Sequence, residues 1–321
     1  MWALSSLSGS SFKVQGSMFP VASIARRRWS VTAAAVFLIA AAGSGPALGQ
    51  PRFDVPFVPT PSAVVDKMLQ LAKVGPGDFV MDLGSGDGRV AIAAARKFGA
   101  RAVGVELDSH LLMQSEESAR QAGVQDRVKF VEQNIFEADL SRATVITMYL
   151  FPEVNIKLRP RLLTLRPGTR IVSHDFDMAQ WEPDAALVIP VPEKSYGAAE
   201  SQVYLWIVPA NAAGVWEGSV STDRGTMEFR AEIEQTFQMV SGTVRLGATA
   251  GRLSAGRLNG GTVRFALAAK IDGRDVRHEF RGRVDGDVVS GRVTLDGGVE
   301  RDWRARRVRR AAIGIDPPRP D

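Results

Sequence analysis

Between residues 62 and 208, short apolar runs alternate with stretches that are apolar at helical spacing, which predicts strands and helices in turn. Ser62 to Ala72 is predicted as a helix with Ser62 as its cap, after a segment from Phe53 to Pro61 held extended by prolines. Phe79, Val80 and Met81 form a strand with Asp82 at its carboxyl end, and the Val90 to Ala95 run starts the next helix. Ala102 to Glu106 is a second strand, Ser109 to Ala122 a polar helix, and Val128 to Val131 a third strand. Ala143 to Leu150 reads as a fourth strand, followed by a helix with Pro152 near its first position that closes over Leu162 to Gly168. Arg170 to Ser173 is a fifth strand, and Ala185 to Ile189 with Ser201 to Val208 form a terminal hairpin with no helix between them. Alternating βα units imply a largely parallel, Rossmann-like sheet of seven strands over residues 50–210, with ligands at the carboxyl ends of its strands. The fold class is α/β.

After Ala210 to Gly214, which reads as a linker, the pattern changes. Val244-Arg245-Leu246, Val263-Arg264-Phe265, Val284-Asp285 and Val293-Thr294-Leu295 each follow a glycine closely, and no helical stretch of useful length remains. Residues 211–310 are therefore expected to form an up-and-down antiparallel meander closed as a small, lipocalin-like β-barrel, because closure removes exposed strand edges. Trp216 and Trp303 are expected to plug it, and residues 311–321 to be a disordered, proline-rich tail.

The amino terminus changes the picture of location. Arg26 to Arg28, the apolar run Val31 to Ala42 and the small residues before Gln50 follow the order of a secretory signal peptide, and the run is short for a membrane span. Residues 1–49 are thus read as a signal, with Met18 a more usual start than Met1, and the remainder as exported; a cytoplasmic chain is the alternative. Lys13 and the three arginines carry four of the five net positive charges, so the basic balance of the whole chain is no sign of nucleic-acid binding. Residues from 211 onward carry 19 basic against 15 acidic side chains, which leaves residues 50–210 acidic. The carboxyl-terminal cluster Arg304, Arg306, Arg307, Arg309 and Arg310 reads first as a solvated basic tail, with contact to an anionic membrane or polymer as the alternative. With no cysteine and three scattered histidines, disulfides, thiolate catalysis and cysteine-ligated zinc are excluded, and no metal site is expected.

The candidate chemistry lies in Asp82-Leu83-Gly84-Ser85-Gly86-Asp87-Gly88. Its glycines let backbone approach a ligand, and the following helix offers unpaired N–H groups. Glu106, 24 residues after Asp82, ends the next strand where a carboxylate can accept from ribose hydroxyls. These two elements resemble the first motif and the following acidic strand end of class I S-adenosylmethionine-dependent methyltransferases. The ordered set FVPTP, DLGSGDGR, GVELD, MYLFPEVN and LRPGTRIVSHDFDM is most similar to the small lysine methyltransferases related to the mitochondrial enzymes that act on the ATP synthase c-subunit and the adenine nucleotide translocase. The resemblance covers about residues 53–209. It implies a S-adenosylmethionine site built from Thr60, Asp82, Gly84, Ser85, Gly86, Gly88 and Glu106, with Asn134 and Ile135 at the adenine. An acid at Asp82 suits an ammonium and a sulfonium and would repel a pyrophosphate. Tyr149 and Phe151 could wall a methyl channel, and His174 or Asp175 could orient or deprotonate an acceptor; lip packing and turn capping are their structural alternatives. The leading expectation is methyl transfer to a protein lysine. A small-molecule methyltransferase of the same fold, or a non-catalytic exported protein that binds S-adenosylmethionine or a nucleoside and whose barrel binds a partner, are the alternatives.

Overall fold

The computed structural model describes residues 57–194, 197–223, 225–246, 249–271, 274–295 and 298–315. The signal read over residues 1–49, the Met18 start, the segment from Phe53 to Pro56 and the end of the tail from Asp316 lie outside the described residues. No helix among the described residues is long and apolar enough to cross a membrane.

A seven-stranded sheet carries the first part of the chain. Its strands are β1 (Phe79–Leu83), β2 (Arg101–Glu106), β3 (Val128–Glu132), β4 (Val145–Met148), β5 (Arg170–His174), β6 (Ala185–Pro190) and β7 (Glu200–Ile207), in the order β3-β2-β1-β4-β5-β7-β6. The first five are parallel and β7 runs against both β5 and β6, which is the predicted terminal hairpin. The helices are α1 (Ser62–Leu71), α2 (Arg89–Phe98), α3 (Ser109–Gln121) and α4 (Pro152–Leu162). Ser62 is not the cap of α1: it is the first helical residue, and Pro61 stands at the N-cap with no side-chain hydrogen bond.

Strand alternation sorts the apolar side chains into two layers. Val80, Val145, Val172 and Leu205 face α1, α2 and α3, whereas Met81, Leu83, Ile146, Ile171 and Trp206 face α4. The second layer has fewer helices to cover it, because the chain between β5 and β6 makes none. Met178 and Trp181 of that crossover lie buried against α4 instead.

The remaining strands, β8 (Gly214–Thr222), β9 (Gly225–Thr236), β10 (Met239–Leu246), β11 (Thr249–Asn259), β12 (Thr262–Ile271), β13 (Arg274–Asp285), β14 (Val288–Thr294) and β15 (Glu300–Arg310), close into an eight-stranded antiparallel barrel when β15 pairs with β8. Trp216 and Trp303 are both buried in its interior. Trp303 stands edge-on to Phe265 and Phe280, and the absence of a side chain at Gly282 makes room for its ring. The internal cavity that remains is about 40 Å³ and apolar, so the interior is packed and does not hold a lipocalin-sized ligand.

Ala210 to Gly214 is not a linker. Ala210, Ala212 and Ala213 are buried, Ala212 N donates to Gln235 Oε1 at 2.7 Å, and Trp216 Nε1 donates to Ala212 O at 2.8 Å. Arg307, expected among exposed basic residues, is buried; its guanidinium donates to Asn211 O, Ala213 O and Gly286 O and lies over the Trp216 ring. The tail is ordered at its start, where Gly314 N donates to Gln235 O and Gly314 O accepts from Phe237 N.

The barrel meets the sheet at the end away from the glycine turn. β7 finishes at Ile207 opposite Arg170, the first residue of β5, so the chain leaves the sheet at the amino-terminal ends of the parallel strands. There Ala210 N donates to Gly260 O at 2.9 Å, and Gly260 approaches Gly168 closely. The two-residue turn between β9 and β10 also reaches the second layer. Phe237 stacks on Trp181 with 5.7 Å between ring centroids, and Gln238 Nε2 donates to Glu182 O at 2.7 Å. Arg257 pairs with Asp184 at 2.7 Å beside them.

Candidate functional site

The turn from β1 into α2 is shaped by three glycines in left-handed conformation, Gly84 at φ 72°, Gly86 at φ 53° and Gly88 at φ 78°. A β-carbon at Gly86 would strike the Phe57 ring and one at Gly88 the Phe130 ring, so the turn has conformational and steric reasons for glycine. Gly84 N and Ser85 N both donate to Val105 O, which fastens the turn to β2. Glu106 closes it: its Oε2 accepts from Gly86 N at 2.8 Å and its Oε1 from Leu107 N at 2.8 Å.

These elements border a cleft of about 250 Å³ at the carboxyl ends of β1, β2 and β4. Thr60, Asp82, Gly84, Ser85, Glu106, Asn134, Ile135 and Tyr149 line it. Gly86 and Gly88 set the backbone behind it and do not line it. Phe151, His174 and Asp175 lie beside it, at the ends of β4 and β5.

Asp82 is buried, and its Oδ1 accepts from Thr147 Oγ1 at 2.7 Å. Burial pushes its carboxyl up to about 7 against that hydrogen bond, and the nearby Glu106 and Asp87 add to the rise. An organic cation entering the cleft would restore the charged form. The Ser85 hydroxyl is buried with no hydrogen-bond partner. A buried carboxylate, an unsatisfied hydroxyl and a second carboxylate on the turn fit a ligand with an ammonium and vicinal hydroxyls.

His174 does not face the cleft and is not placed to deprotonate an acceptor. It is fully buried, with Nδ1 hydrogen-bonded to Thr60 Oγ1 at 3.2 Å and Nε2 to Ser201 Oγ at 2.9 Å. Burial pushes the imidazole down to about 4; Asp175 opposes the fall and Lys194 adds to it. It is a neutral strut between α1's leading segment and β7. Asp175 is different. Its backbone is left-handed at φ 59°, its Oδ1 accepts from Gln202 N at 2.8 Å, and its Oδ2 accepts from Lys194 Nζ at 2.7 Å and Tyr149 Oη at 3.5 Å. Tyr149 and Phe151 both pack on Phe176, each with ring centroids 6.0 Å apart, and Phe151 is 38% exposed.

Three arginines that the sequence does not single out support the site, and of them only Arg89 lies within one of its motifs. Arg89 Nε donates to both oxygens of Asp87, and its Nη1 donates to Thr60 O at 2.9 Å, tying the leading segment across the turn. Its place in Asp87-Gly88-Arg89 is the one signal the sequence offers for it. Arg161 of α4 donates to Ile135 O, Phe136 O and Ala138 O and so fixes the loop that carries Asn134 and Ile135. Arg159 donates to Met178 O at 3.1 Å and lies over the Phe237 ring. No local pattern marks the last two.

A family profile described as the ANTKMT methyltransferase domain matches residues 82–185. A protein-lysine N-methyltransferase from Saccharolobus islandicus (strain REY15A) is 44% identical over 156 residues, which are 48% of this chain and 94% of that protein. The Homo sapiens lysine N-methyltransferase of the ATP synthase c-subunit is 30% identical over 175 residues, 52% of this chain and 73% of that protein. A crystal structure of an RNA methyltransferase from Salinibacter ruber in complex with S-adenosyl-L-homocysteine is 50% identical, covering 47% of this chain and 94% of that one, with a TM-score of 0.44.

Proposed function

Because the chain belongs to the S-adenosylmethionine-dependent methyltransferase family that includes the protein-lysine N-methyltransferases and those of the ATP synthase c-subunit, we propose that its cleft serves methyl transfer to the side-chain amine of a protein lysine. S-adenosylmethionine supplies a methyl group made electrophilic by its sulfonium. Asp82 would hold the methionine ammonium, the glycine turn with Ser85 the amino-acid and ribose portion, Glu106 the ribose hydroxyls, and Asn134 with Ile135 the adenine. An acceptor lysine reacts only as the free amine, against an ordinary pKa of about 10.4. Asp175 is the group to orient that amine and take up its proton, with Tyr149, Phe151 and Phe176 excluding water around the stem.

The observation that carries the lysine reading is the pair Asp175–Lys194. An alkylammonium already rests on this carboxylate at 2.7 Å, beside the hydroxyl of a tyrosine that also lines the cofactor cleft. Calorimetric titration with S-adenosylmethionine tests the cofactor half. Binding should be lost in Asp82→Ala and weakened by about 1–3 kcal/mol in Glu106→Ala, which removes charge-assisted hydrogen bonds. Unchanged affinity in both variants would refute the cofactor assignment. For the acceptor half, Asp175→Asn should leave that affinity intact while abolishing methylation of lysine-containing protein.

A further inference from the structure

The outer wall of the barrel carries a line of arginines that the cleft does not use and that the fold uses only at its two ends. Arg257 of β11 stands directly opposite Arg264 of β12, Arg264 opposite Arg281 of β13, and Arg281 opposite Arg292 of β14. Arg264, Arg281 and Arg292 are exposed and Arg257 half-buried, all pointing away from the packed interior. Neighbouring strands are about 4.8 Å apart, so the backbone positions of these four arginines span roughly 15 Å across the wall. In the adjacent row, Ser290 lies between exposed Arg283 and Arg304.

Like charges directly opposed across strands destabilise a sheet, and a neutralised row would carry alternating acids. Here only the ends are neutralised. Arg257 pairs with Asp184, and Arg292 with Asp302 and Glu300. Glu279, which borders the row, lies 3.7 Å from Arg277. Among the described residues no carboxylate is paired with Arg264, Arg281, Arg283 or Arg304. The bias toward one cation is also marked: of the 19 basic residues after position 210, Lys270 alone is not arginine. Guanidinium is the group that binds phosphate oxygens in a fork.

We infer that the outer face of β11 to β14, centred on Arg264 and Arg281, docks the chain on an anionic phospholipid surface. The row lies on the convex wall of a closed barrel. In the adjacent row Thr262 and Ser290 flank Arg283, with no aromatic ring among them on which bases could stack. Fluid headgroups can adapt to guanidiniums that splay from a convex wall, and clusters of roughly this number of basic groups hold other proteins on anionic membranes. Arg304 and Arg306 extend this face along β15, whereas the buried Arg307 takes no part.

The test is sedimentation of the full chain with vesicles of phosphatidylcholine, with or without phosphatidylglycerol. Binding should require phosphatidylglycerol, fall steeply as salt is raised, and resist soluble glycerol phosphate. The triple variant Arg264→Gln, Arg281→Gln, Arg292→Gln should lose about 100-fold in the salt-sensitive partition. Arg281→Glu places a carboxylate between two arginines, so it should raise the melting temperature while weakening vesicle binding. Equal binding to neutral vesicles, unchanged partition in Arg281→Glu, or tighter salt-sensitive binding to duplex or single-stranded nucleic acid than to vesicles would overturn the inference.

Discussion

Asp82 and His174 hold protons against their ordinary habits, in opposite directions. The native Asp82 carboxyl titrates near 7 and the unfolded one near 3.8, so between those values the folded chain binds the extra proton and this group's stabilisation is lost as pH rises. His174 titrates near 4 when folded and near 6.5 when unfolded, so its contribution is lost as pH falls through the same window. The two slopes offset. Urea midpoints measured from pH 4 to pH 7 should therefore vary little for the native sequence on account of this pair. Asp82→Asn should unmask a midpoint that falls toward pH 4, and His174→Gln one that rises toward pH 4. Parallel profiles for the two variants would contradict these proton assignments. The same logic gives the cofactor site a pH signature, since a cation bound beside Asp82 should release its proton near neutrality.

Among the elements, the turn between β9 and β10 departs most from what its local sequence favours. Phe237 occupies a left-handed position, φ 51°, that tight hairpins usually give to asparagine or glycine, yet its ring is only 3% exposed. Trp181 stacks on one side and the Arg159 guanidinium lies against it, so tertiary packing outweighs the turn preference. Phe237→Ala should destabilise the protein by about 3–5 kcal/mol, read from denaturant unfolding; a loss below about 1 kcal/mol would make the ring a bystander. This turn also marks the limit of what is legible in the sequence. The glycine turn and Glu106 can be read because spacing along one βα unit determines where they meet. The closed barrel can be read because glycine-punctuated strands recur. A single aromatic in a hairpin has no period, and the clamps made by Arg89 and Arg161 join segments 23 or more residues apart. His174 misleads for the related reason that a strand end faces either a cleft or a neighbouring strand, and only the approach of Ser201 and Thr60 decides which.

At the scale of the whole molecule, the barrel and the cleft occupy opposite ends of the sheet, and every residue lining the cleft lies between Phe57 and Val154. A chain cut after residue 210 should consequently retain the cofactor affinity of its folded fraction. That fraction should shrink, because removing Phe237 and Gln238 uncovers Trp181 in the second layer. Calorimetry paired with thermal melting separates the two effects, and a truncated chain that melts like the intact one would show the shared core to be dispensable. The stacking of Phe237 on Trp181 has a further consequence in time. Synthesis proceeds from the amino terminus at about 5–20 residues per second. Phe237 is made 56 residues after Trp181, so roughly 3–11 seconds pass before its ring can cover that surface. During that interval the nascent methyltransferase half presents an open tryptophan face, and a ribosome-associated chaperone would find its binding site there.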